Sequence, residues 1–323
     1  MRFIISGVGA IGGTVAACLA GNGREVAGIA RGRQLDAIRE GGLTLKTPDG
    51  GSHVRFDCAA DIASLGLRPD DVILLCVKSQ DTQDVLERLA AAGATRQPVL
   101  CLQNGVANER VALRYFENVY GVSVMMPCDF AAPGLVHAFG TPHPGIFDIG
   151  RYPSGRDGTT EEIAGIFNEA GIVSFVHEQV MASKYGKLLV NLHNVLEAGF
   201  GREDAYRSWA EKAREEAAAA YRAAGIEWQD VGFNDPRREQ YMKMGTIPGV
   251  RRMGSSSTQS LMRGAGSIET DYLNGEIALL GRLHGVPVPV NAALCRIGRK
   301  LLAGSLDLGK VKDADIKAEL AAA

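Results

Sequence analysis

The sequence predicts an α/β protein in two parts: a wound sheet of mostly parallel strands, followed by an all-helical region. Up to about Val176, short apolar runs alternate with amphipathic stretches, as expected for strands buried on both faces with helices between them. After Glu178 the strand pattern stops and only helical periodicity continues. We therefore divide the chain into a first domain, residues 1–177, and a second, residues 178–323.

In the first part, the apolar run that begins at Phe3 predicts the first strand, and Ala10–Asn22 predicts the first helix. The turn-forming stretch Pro48–Gly51 separates two strand-like runs and predicts a hairpin. Later strands are expected to be partly antiparallel, because their connections are short. The further strands expected are Glu25–Ala30, Leu43–Thr47, Val54–Phe56, Val72–Val77, Val99–Leu102, Val119–Met125, Gly134–Phe139, Ile146–Ile149 and Val173–Val176. The further helices expected here are Gln80–Ala92 and Thr159–Ala170.

In the second part, the apolar positions recur at helical spacing. The tail from Lys310 is charged and rich in alanine, which is typical of either a terminal helix or a frayed end. The helix expected over Ser267–His284 carries an apolar stripe of Leu273, Ile277 and Leu280. Such a stripe more often packs in the core than in an interface, so the sequence is compatible with a homodimer and does not require one. The helices expected are Val180–Glu197, Ser208–Ala224, Ser267–His284 and Val290–Leu302.

Composition limits the partners of the chain. Its 323 residues carry a net charge of −2, which gives no general attraction for nucleic acid or an anionic membrane, and we expect neither as a partner. No apolar run approaches the roughly 20 residues that span a bilayer. The first residues enter a strand directly, so we expect no signal peptide. The six cysteines show no C-x-x-C or Cys/His metal spacing, which favours reduced thiols in the cytoplasm and no metal site.

A complete G-x-G-x-x-G motif, Gly7-Val8-Gly9-Ala10-Ile11-Gly12, joins the first strand to the first helix. The first glycine permits a tight turn, the second lets the backbone approach a pyrophosphate, and the third allows close packing of helix on strand. The free N–H groups and the positive end of the helix dipole then face the phosphates. In this context the motif predicts an N-terminal Rossmann-type dinucleotide-binding domain.

The end of the second strand indicates which dinucleotide binds. A cofactor that lacks a 2′-phosphate usually meets an Asp or Glu at this point. This chain has Arg31 instead, with Arg33 close behind it. A guanidinium group offers a fork suited to phosphate, whereas a carboxylate would repel it. Arg31 therefore predicts NADPH rather than NADH.

Polar residues follow two further strands. Lys78 comes directly after the apolar run that ends at Val77, and Asn104 closely follows the run Val99–Leu102. Both belong to the carboxyl edge of a parallel sheet, where ligands bind in such folds. A polar residue after an apolar strand is more often a turn former, but two consecutive strands that end this way favour a ligand site.

The first helix of the second part carries a polar face. At 100° per residue, Asn191 and Asn194 both lie within about 40° of Lys187. A lysine with two amides suits the binding and protonation of a carbonyl oxygen, although most helix lysines are simply solvated. Later in the chain, Glu269 and Asp271 lie near the start of the predicted helix Ser267–His284, where acidic residues also interact favourably with the helix dipole.

Taken in chain order, these elements show a specific spacing. They are the glycine motif, Arg31, Val77-Lys78, Gln103-Asn104-Gly105, Lys187 with Asn191, Ser257, and Glu269 with Asp271 and Asn274-Gly275. Over nearly the whole chain, this series resembles the ketopantoate reductase (2-dehydropantoate 2-reductase) family. The resemblance implies a Rossmann domain followed by a helical domain, and an NADPH-dependent reduction of a 2-oxo acid to a 2-hydroxy acid.

The resemblance also implies roles for the matching residues. Arg31 and Lys78 match cofactor-binding positions at the 2′-phosphate end of NADPH. Asn104 matches a residue close to both the nicotinamide ribose and the substrate. The glycine motif, Gly7 to Gly12, supplies the pyrophosphate site.

For the chemistry, the resemblance implies that Lys187 is the general acid and that Asn191 is a substrate-binding amide. Ser257 matches a contact to the substrate carboxylate. Glu269 matches the carboxylate that holds the ketopantoate hydroxyl and sits close to the lysine, so the resemblance implies that Lys187 and Glu269 are the catalytic residues. The implied reaction is the reduction of 2-dehydropantoate to pantoate, in which hydride goes from NADPH to the ketone carbon and Lys187 supplies the proton.

The chain departs from the family pattern at three points. Val195 stands where the family has a second asparagine, and Asn194, one residue earlier, is a candidate replacement in substrate binding. The stretch Ser257–Leu261 lacks the family's acidic residue, and Gly266 replaces an arginine. Either an ion pair has been lost as a unit, or the pocket is adapted to a different 2-oxo acid.

Three alternatives therefore remain open. The first is a reductase of the same fold that acts with NADPH on another 2-oxo acid or ketone. The second is a non-catalytic NADPH-binding redox sensor, against which Lys187 and Glu269 argue. The third is a β-hydroxyacid or 6-phosphogluconate-type dehydrogenase. Lys78, Asn104 and Glu269 fit this family less well than they fit the ketopantoate reductases.

Overall fold

A computed structural model describes residues 1–232 and 234–322 of the chain. By their contacts, the residues form two compact units. The first unit contains Met1–Gln103, Asn108–Lys184 and a later segment that ends at Arg251. The second contains Asn104–Ala107, Tyr185–Gly232 and the chain from Arg252 onward. A single boundary after residue 177 stays a prediction, since the contacts divide the chain at more than one point.

The strands belong to the first unit. In chain order they are β1 (Arg2–Ser6), β2 (Glu25–Ile29), β3 (Leu43–Thr47), β4 (Gly50–Val54), β5 (Asp57–Ala59), β6 (Asp71–Leu75), β7 (Val99–Cys101), β8 (Val119–Met125), β9 (Cys128–Ala132), β10 (Leu135–Ala138), β11 (Gly140–Pro142), β12 (Ile146–Arg151), β13 (Val173–Val176) and β14 (Met242–Met244).

The main sheet has the strand order β13-β12-β8-β7-β6-β1-β2-β5. Its pairs are parallel except β12 with β8, which is antiparallel. Strand β1 lies between β2 and β6, and its residues Phe3, Ile4 and Ile5 are fully buried. Burial on both faces explains why the central strands are continuously apolar. The predicted α/β class is confirmed.

A second sheet, in the order β4-β3-β10-β9, was not foreseen as a separate layer. The predicted hairpin is confirmed, because β3 and β4 pair antiparallel. Its predicted second strand, Val54–Phe56, is wrong: β4 is Gly50–Val54, because the pairing of Thr47 with Gly50 leaves only residues 48–49 in the turn. Strand β10 joins β3 in parallel although the two are far apart in sequence. One side of this sheet packs on the first helix, where a Cβ on Gly13 would meet Val136 at 2.9 Å.

Helices occur in both units. They are α1 (Ala10–Gly21), α2 (Gly32–Gly41), α3 (Thr82–Ala91), α4 (Asn108–Ala112), α5 (Gly158–Glu169), α6 (Val180–Asn191), α7 (Asn194–Phe200), α8 (Glu203–Ala223), α9 (Pro236–Tyr241), α10 (Ser256–Met262), α11 (Asn274–His284), α12 (Pro289–Leu302) and α13 (Asp313–Ala321). Short 3₁₀ turns cover Ser79–Asp81 and Thr270–Tyr272. Within 1–232 and 234–322, no helix has the length and apolar content needed to cross a membrane.

Two predicted helices are shorter than expected. The helix expected over Val180–Glu197 is divided by a turn at residues 192–193, where the Leu192 carbonyl accepts a hydrogen bond from the Asn274 side chain at 3.1 Å. The helix expected from Ser267 begins only at Asn274, after the 3₁₀ turn. Both boundaries lie at this contact between Asn274 and Leu192, which are distant in sequence, so local periodicity does not reveal it.

The expectation that strands end before Glu178 is wrong at β14. This three-residue strand pairs antiparallel with β11 in the first unit. Next to it, Arg237 donates to Asp148 at 2.6 Å and to Asp235 at 2.7 Å, and its guanidinium lies over the Phe175 ring. Because Asp148 is fully buried, this ion pair compensates a charge that would otherwise be costly. The segment therefore belongs to the first unit.

In the second unit, a buried polar network joins the helices. The Asn274 side chain donates to Leu192 O and to Asn291 Oδ1, both at 3.1 Å. Asn291 in turn donates to the carbonyl of Ala213 and to the carboxylate of Glu216, both at 2.9 Å. Such a satisfied network specifies one arrangement of α6, α8, α11 and α12. The predicted all-helical second domain is confirmed for the described residues of this unit.

Candidate active site

The glycine motif adopts the geometry that a dinucleotide loop requires. Gly7 has a φ of +99°, and a Cβ there would lie 2.8 Å from the Val77 backbone nitrogen. A Cβ on Gly12 would lie 2.1 Å from the Gly7 carbonyl oxygen and 2.9 Å from Cys76 Cβ. Both positions therefore exclude any side chain. Close packing of α1 on the sheet depends on these two glycines.

Gly9 differs from its neighbours in the motif. A Cβ built on Gly9 would have no described heavy atom within 4 Å, so the missing side chain leaves open space beside the start of α1. The N-terminal N–H groups of this twelve-residue helix have no side-chain cap from Gly9. Open space beside uncapped N–H groups is what a pyrophosphate needs. The residues present therefore fit a dinucleotide cofactor.

Gln34 braces this loop, and sequence reasoning missed it. Its Nε2 donates to the Val8 carbonyl at 2.9 Å, and its Oε1 accepts from the Gly134 backbone N–H at 2.8 Å. One amide thus connects α2 to the glycine motif and to the turn between β9 and β10. These partners are 26 and 100 residues away in sequence, so no local pattern could have indicated the contact.

Arg31 lies at the carboxyl end of β2, as predicted, where it precedes α2. Its side chain is 70% exposed, and its Nη2 lies 3.9 Å from Oδ2 of Asp81. Asp81 ends the 3₁₀ turn that follows Lys78. The loop after β6 therefore brings a carboxylate to the arginine that was predicted to bind the 2′-phosphate.

Buried hydrogen bonds join the loops that follow β6 and β7. Gln103 Nε2 donates to Thr82 Oγ1 at 2.7 Å, and Thr82 Oγ1 donates to Asn108 Oδ1 at 2.8 Å. Asn108 Nδ2 then donates to Ser79 Oγ at 3.2 Å. All four side chains are buried. The loop that carries Lys78 is thereby fixed to the strand end that leads into Asn104.

Lys184, in α6, fixes the same strand end. Its ammonium donates to the carbonyls of Cys101 and Gln103, at 3.3 and 3.1 Å, and forms an ion pair with the carboxylate of Glu109. Lys184 is 3% exposed and Glu109 is 0% exposed, so the pair is fully buried. The ammonium therefore holds α6, α4 and the end of β7 together. Sequence reasoning singled out neither residue.

The second unit carries Lys187 and Asn191 one helical turn apart on α6. The preceding residue, Gly186, lets the helix approach its neighbour, since a Cβ there would lie 1.7 Å from the Gln229 carbonyl oxygen. Asn191 is 5% exposed, and its Nδ2 has no acceptor among the described residues. A buried amide nitrogen left unsatisfied is rare and requires an explanation.

His193 lies close behind this pair. Burial lowers the pKa of its imidazole, the carboxylate of Glu197 opposes that shift, and the positive charge of Lys187 lowers the pKa further. The ring stacks against Tyr206 with a centroid separation of 6.3 Å. A lowered pKa keeps the imidazole neutral near pH 7. Lys187 therefore has a neutral ring, and not a second cation, on this side.

Asn194 begins α7 and is not on the continuous helix face that the sequence predicted. Its Nδ2 donates to Ser256 Oγ at 3.3 Å, and its carbonyl accepts from Ser255 Oγ at 3.1 Å. The carboxylate of Glu197 accepts from the Ser255 backbone N–H at 3.2 Å. Together these contacts fix the start of α10, where Ser257 is buried at 2% exposure.

Glu269 and Asn104 are carried by segments that meet in the second unit. Glu269 is half-buried and directly precedes the turn Thr270–Tyr272. Gly105, with a φ of +79°, lies so close to this turn that a Cβ would be 3.1 Å from the Tyr272 carbonyl oxygen. The following Asn274 binds the end of α6. Contacts within this unit thus connect the segments that bear Asn104, Glu269 and Lys187.

The predicted site residues therefore fall into two sets. The cofactor set, in the first unit, is Gly7, Val8, Gly9, Ala10, Ile11, Gly12, Arg31 and Lys78. The substrate and catalytic set, in the second unit, is Asn104, Lys187, Asn191, Asn194, Ser257 and Glu269. Asn104 is also predicted to bind the cofactor. The roles assigned to individual residues stay predictions.

Two family models match the chain. The first, described as ketopantoate reductase PanE/ApbA, matches residues 3–154. The second, described as ketopantoate reductase PanE/ApbA C terminal, matches residues 180–301. Together they cover most of the chain and include every predicted site residue.

Relatives and solved structures agree with these matches. The 2-dehydropantoate 2-reductase of Pyrococcus horikoshii is 30% identical over 303 residues, which cover 91% of this chain and 95% of that protein. The crystal structure of a PanE/ApbA family ketopantoate reductase from Ralstonia eutropha JMP134 superposes with a TM-score of 0.77 at 30% identity, and covers 94% of this chain and 99% of that one. D-mandelate dehydrogenase with NADH and anilino(oxo)acetate shares the fold, with a TM-score of 0.77 at 21% identity over 94% of this chain and 99% of that one. The chain therefore belongs to the ketopantoate reductase PanE/ApbA family, as its motifs predict.

Proposed function

We propose that the protein reduces 2-dehydropantoate (ketopantoate) to pantoate with NADPH. The observation that carries the proposal is the pair on α6: a lysine, Lys187, one turn from Asn191, whose buried Nδ2 has no acceptor among the described residues. An amide donor and an ammonium on one helix face suit a substrate oxygen. The curated relative from Pyrococcus horikoshii carries the name of this activity.

The chemistry requires an acid beside the ketone. When bound, NADPH supplies hydride to the ketone carbon, which leaves negative charge on the oxygen. Lys187 donates a proton from Nζ to that oxygen, which completes the hydroxyl group. A positioned acid of this kind contributes about 10²–10⁴-fold to the rate. The neutral ring of His193 adds no competing positive charge.

The remaining residues orient the substrate. Asn191 donates its free amide hydrogen to a substrate oxygen, and Asn104 contacts the substrate beside the nicotinamide ribose. Ser257, at the start of α10, binds the carboxylate of the 2-oxo acid. Glu269 accepts a hydrogen bond from the hydroxyl group of ketopantoate near Lys187. We infer that the protein binds a small molecule and no nucleic acid. We also infer that it is a cytoplasmic enzyme, in line with its six free cysteines. A homodimer stays a prediction.

The first experiment is NADPH oxidation by the purified protein with ketopantoate, beside a panel of other 2-oxo acids. We expect ketopantoate to give a kcat/KM of at least about 10⁴ M⁻¹s⁻¹ and to exceed the other acids. Weak ketopantoate turnover beside strong turnover of another acid would contradict the substrate and leave the reductase assignment in place.

A different 2-oxo acid is the second candidate, and one contact favours it. The amide of Asn194, which the sequence offered as a substitute for the family's second asparagine, donates to Ser256. If that bond persists when substrate binds, the pocket offers one amide fewer than the family pattern. The substrate panel distinguishes the two candidates directly.

Arg31 is expected to determine cofactor affinity. Replacing Arg31 with alanine should weaken NADPH binding about 10- to 100-fold, since a charge-assisted hydrogen bond contributes about 1.5–3 kcal/mol. NADH affinity should change by less than about 2-fold, because NADH has no 2′-phosphate. Titration of nicotinamide fluorescence measures both. Arg33→Ala, which removes another exposed arginine from the same segment, is the matched control; unchanged NADPH affinity in Arg31→Ala would contradict the assignment.

A further inference from the structure

We propose that Asp81 determines cofactor specificity by opposing Arg31, and that it reduces the preference for NADPH over NADH. The inference rests on the proposed cofactor site and adds a residue that neither the sequence motifs nor the family resemblance singled out. The observation that carries it is the ion pair between Arg31 Nη2 and Asp81 Oδ2 at 3.9 Å.

The position of Asp81 is fixed by the backbone around it. Its N–H donates to the Lys78 carbonyl at 2.9 Å, which closes the 3₁₀ turn. The next residue, Thr82, is buried and donates to Asn108 at 2.8 Å. Asp81 precedes α3, where an aspartate commonly caps the helix, but its carboxylate accepts no capping bond from the described part of α3. The carboxylate is therefore directed to Arg31.

Solvent exposure decides how strong the effect is. The Arg31 side chain is 70% exposed and that of Asp81 is 44% exposed, so water and salt weaken their attraction. A 2′-phosphate, with a higher charge and a geometry that suits a guanidinium fork, displaces the carboxylate. Asp81 then remains near the phosphate and repels it. The result is weaker NADPH binding, without loss of the site.

The same carboxylate affects NADH in the opposite direction. In NADH the ribose carries a neutral 2′-hydroxyl in place of the phosphate. In Rossmann folds, a carboxylate at the end of the second strand accepts a hydrogen bond from that hydroxyl. Asp81 reaches the same position from the loop after β6, since it lies 3.9 Å from Arg31. Asp81 therefore penalises one cofactor and tolerates or favours the other. A single charge thus brings the two affinities closer together.

The test is the affinity of the free enzyme for each cofactor, measured by nicotinamide fluorescence without substrate. For Asp81→Asn, which keeps the size of the side chain, we expect NADPH to bind about 2- to 5-fold more tightly at low salt. NADH should bind equally or up to about 3-fold more weakly. The gain for NADPH should shrink in 0.5 M NaCl, since salt screens exposed charges at about this separation.

Asp84→Asn is the matched control. Asp84 lies in α3, directly after the turn that ends at Asp81, is 57% exposed and pairs with Arg88 at 3.0 Å, so its replacement removes a similar exposed charge further from Arg31. This variant should leave the ratio of the two affinities unchanged. In an Arg31→Ala background, Asp81→Asn should yield less than half of its gain. An equal shift in the control, or an undiminished gain without Arg31, would overturn the inference.

Failure of this inference is distinguishable from failure of the proposed function. If the parent protein binds neither NADPH nor NADH, the cofactor assignment itself is wrong. If it binds both and Asp81→Asn leaves their ratio unchanged, only the role of Asp81 is wrong. The identity of the 2-oxo acid has no influence on either result.

Discussion

Lys187→Ala should lower kcat about 10²–10⁴-fold, because no other group is assigned to protonate the developing alkoxide. Lys187 is only half-buried and lies on the second part of α6, so the fold should tolerate its truncation. We therefore expect the NADPH dissociation constant to change little. Steady-state kinetics with ketopantoate, combined with a cofactor titration, measures the two effects separately.

The matched control for this variant is Lys212→Ala. Lys212 belongs to α8 in the same unit, and its ammonium lies 4.7 Å from the centroid of the Trp209 ring. The Lys212→Ala variant removes one lysine charge from the unit but leaves Lys187 and Asn191 on α6 unchanged, so kcat should stay close to that of the parent. A Lys187→Ala enzyme with near-parental kcat would remove the general-acid assignment.

Lys184, three residues earlier on the same helix, should have the opposite profile, with a large effect on stability. Lys184→Met leaves the carboxylate of Glu109 buried at 0% exposure without its partner. Breaking a buried ion pair in this way costs about 3–5 kcal/mol in the free energy of unfolding. Urea unfolding at neutral pH measures the change.

Two further variants test whether the pair itself is responsible. In the double variant Lys184→Met with Glu109→Met, no charge stays buried, so the double variant should be more stable than Lys184→Met alone. Lys300→Met is the control, because Lys300 is 52% exposed and its partner Glu319 keeps Arg296. Its cost should stay below about 1 kcal/mol. A cost for Lys184→Met no larger than that of the control would contradict the prediction.

The sequence was sufficient for features that depend on neighbouring residues. The glycine motif predicts its turn because Gly7 has a φ of +99° and a Cβ on Gly12 would meet the Gly7 carbonyl oxygen, and both constraints act within a few residues. The strands β1 and β6 are recognisable because burial on both faces demands unbroken apolar runs. Arg31 was placed correctly at the end of β2 for the same reason: a strand and a following helix define that position.

Features that depend on distant residues could not be predicted in this way. Lys184 and Glu109 are 75 residues apart, and nothing near either one indicates an ion pair. Asn274 binds the Leu192 carbonyl at the end of α6, and the two residues are 82 positions apart. The sequence therefore predicts a helix that is too long and wrongly places Asn194 on the same face as Lys187. The sequence places Asp81 close to Lys78, but its approach to Arg31 cannot be predicted without the strand order of the sheet, which brings the ends of β2 and β6 to either side of β1.

The return of residues 235–251 to the first unit has a consequence for the dissection of this protein. A gene fragment that stops after α6 would omit β14, the partner of β11, and would leave the fully buried Asp148 without Arg237. The region matched by the C-terminal family model, residues 180–301, contains both of those parts. Neither half of the sequence therefore contains all the contacts of its own unit. If two family members exchange halves by recombination, residues 235–251 must still match the β11 and Asp148 regions on which they pack.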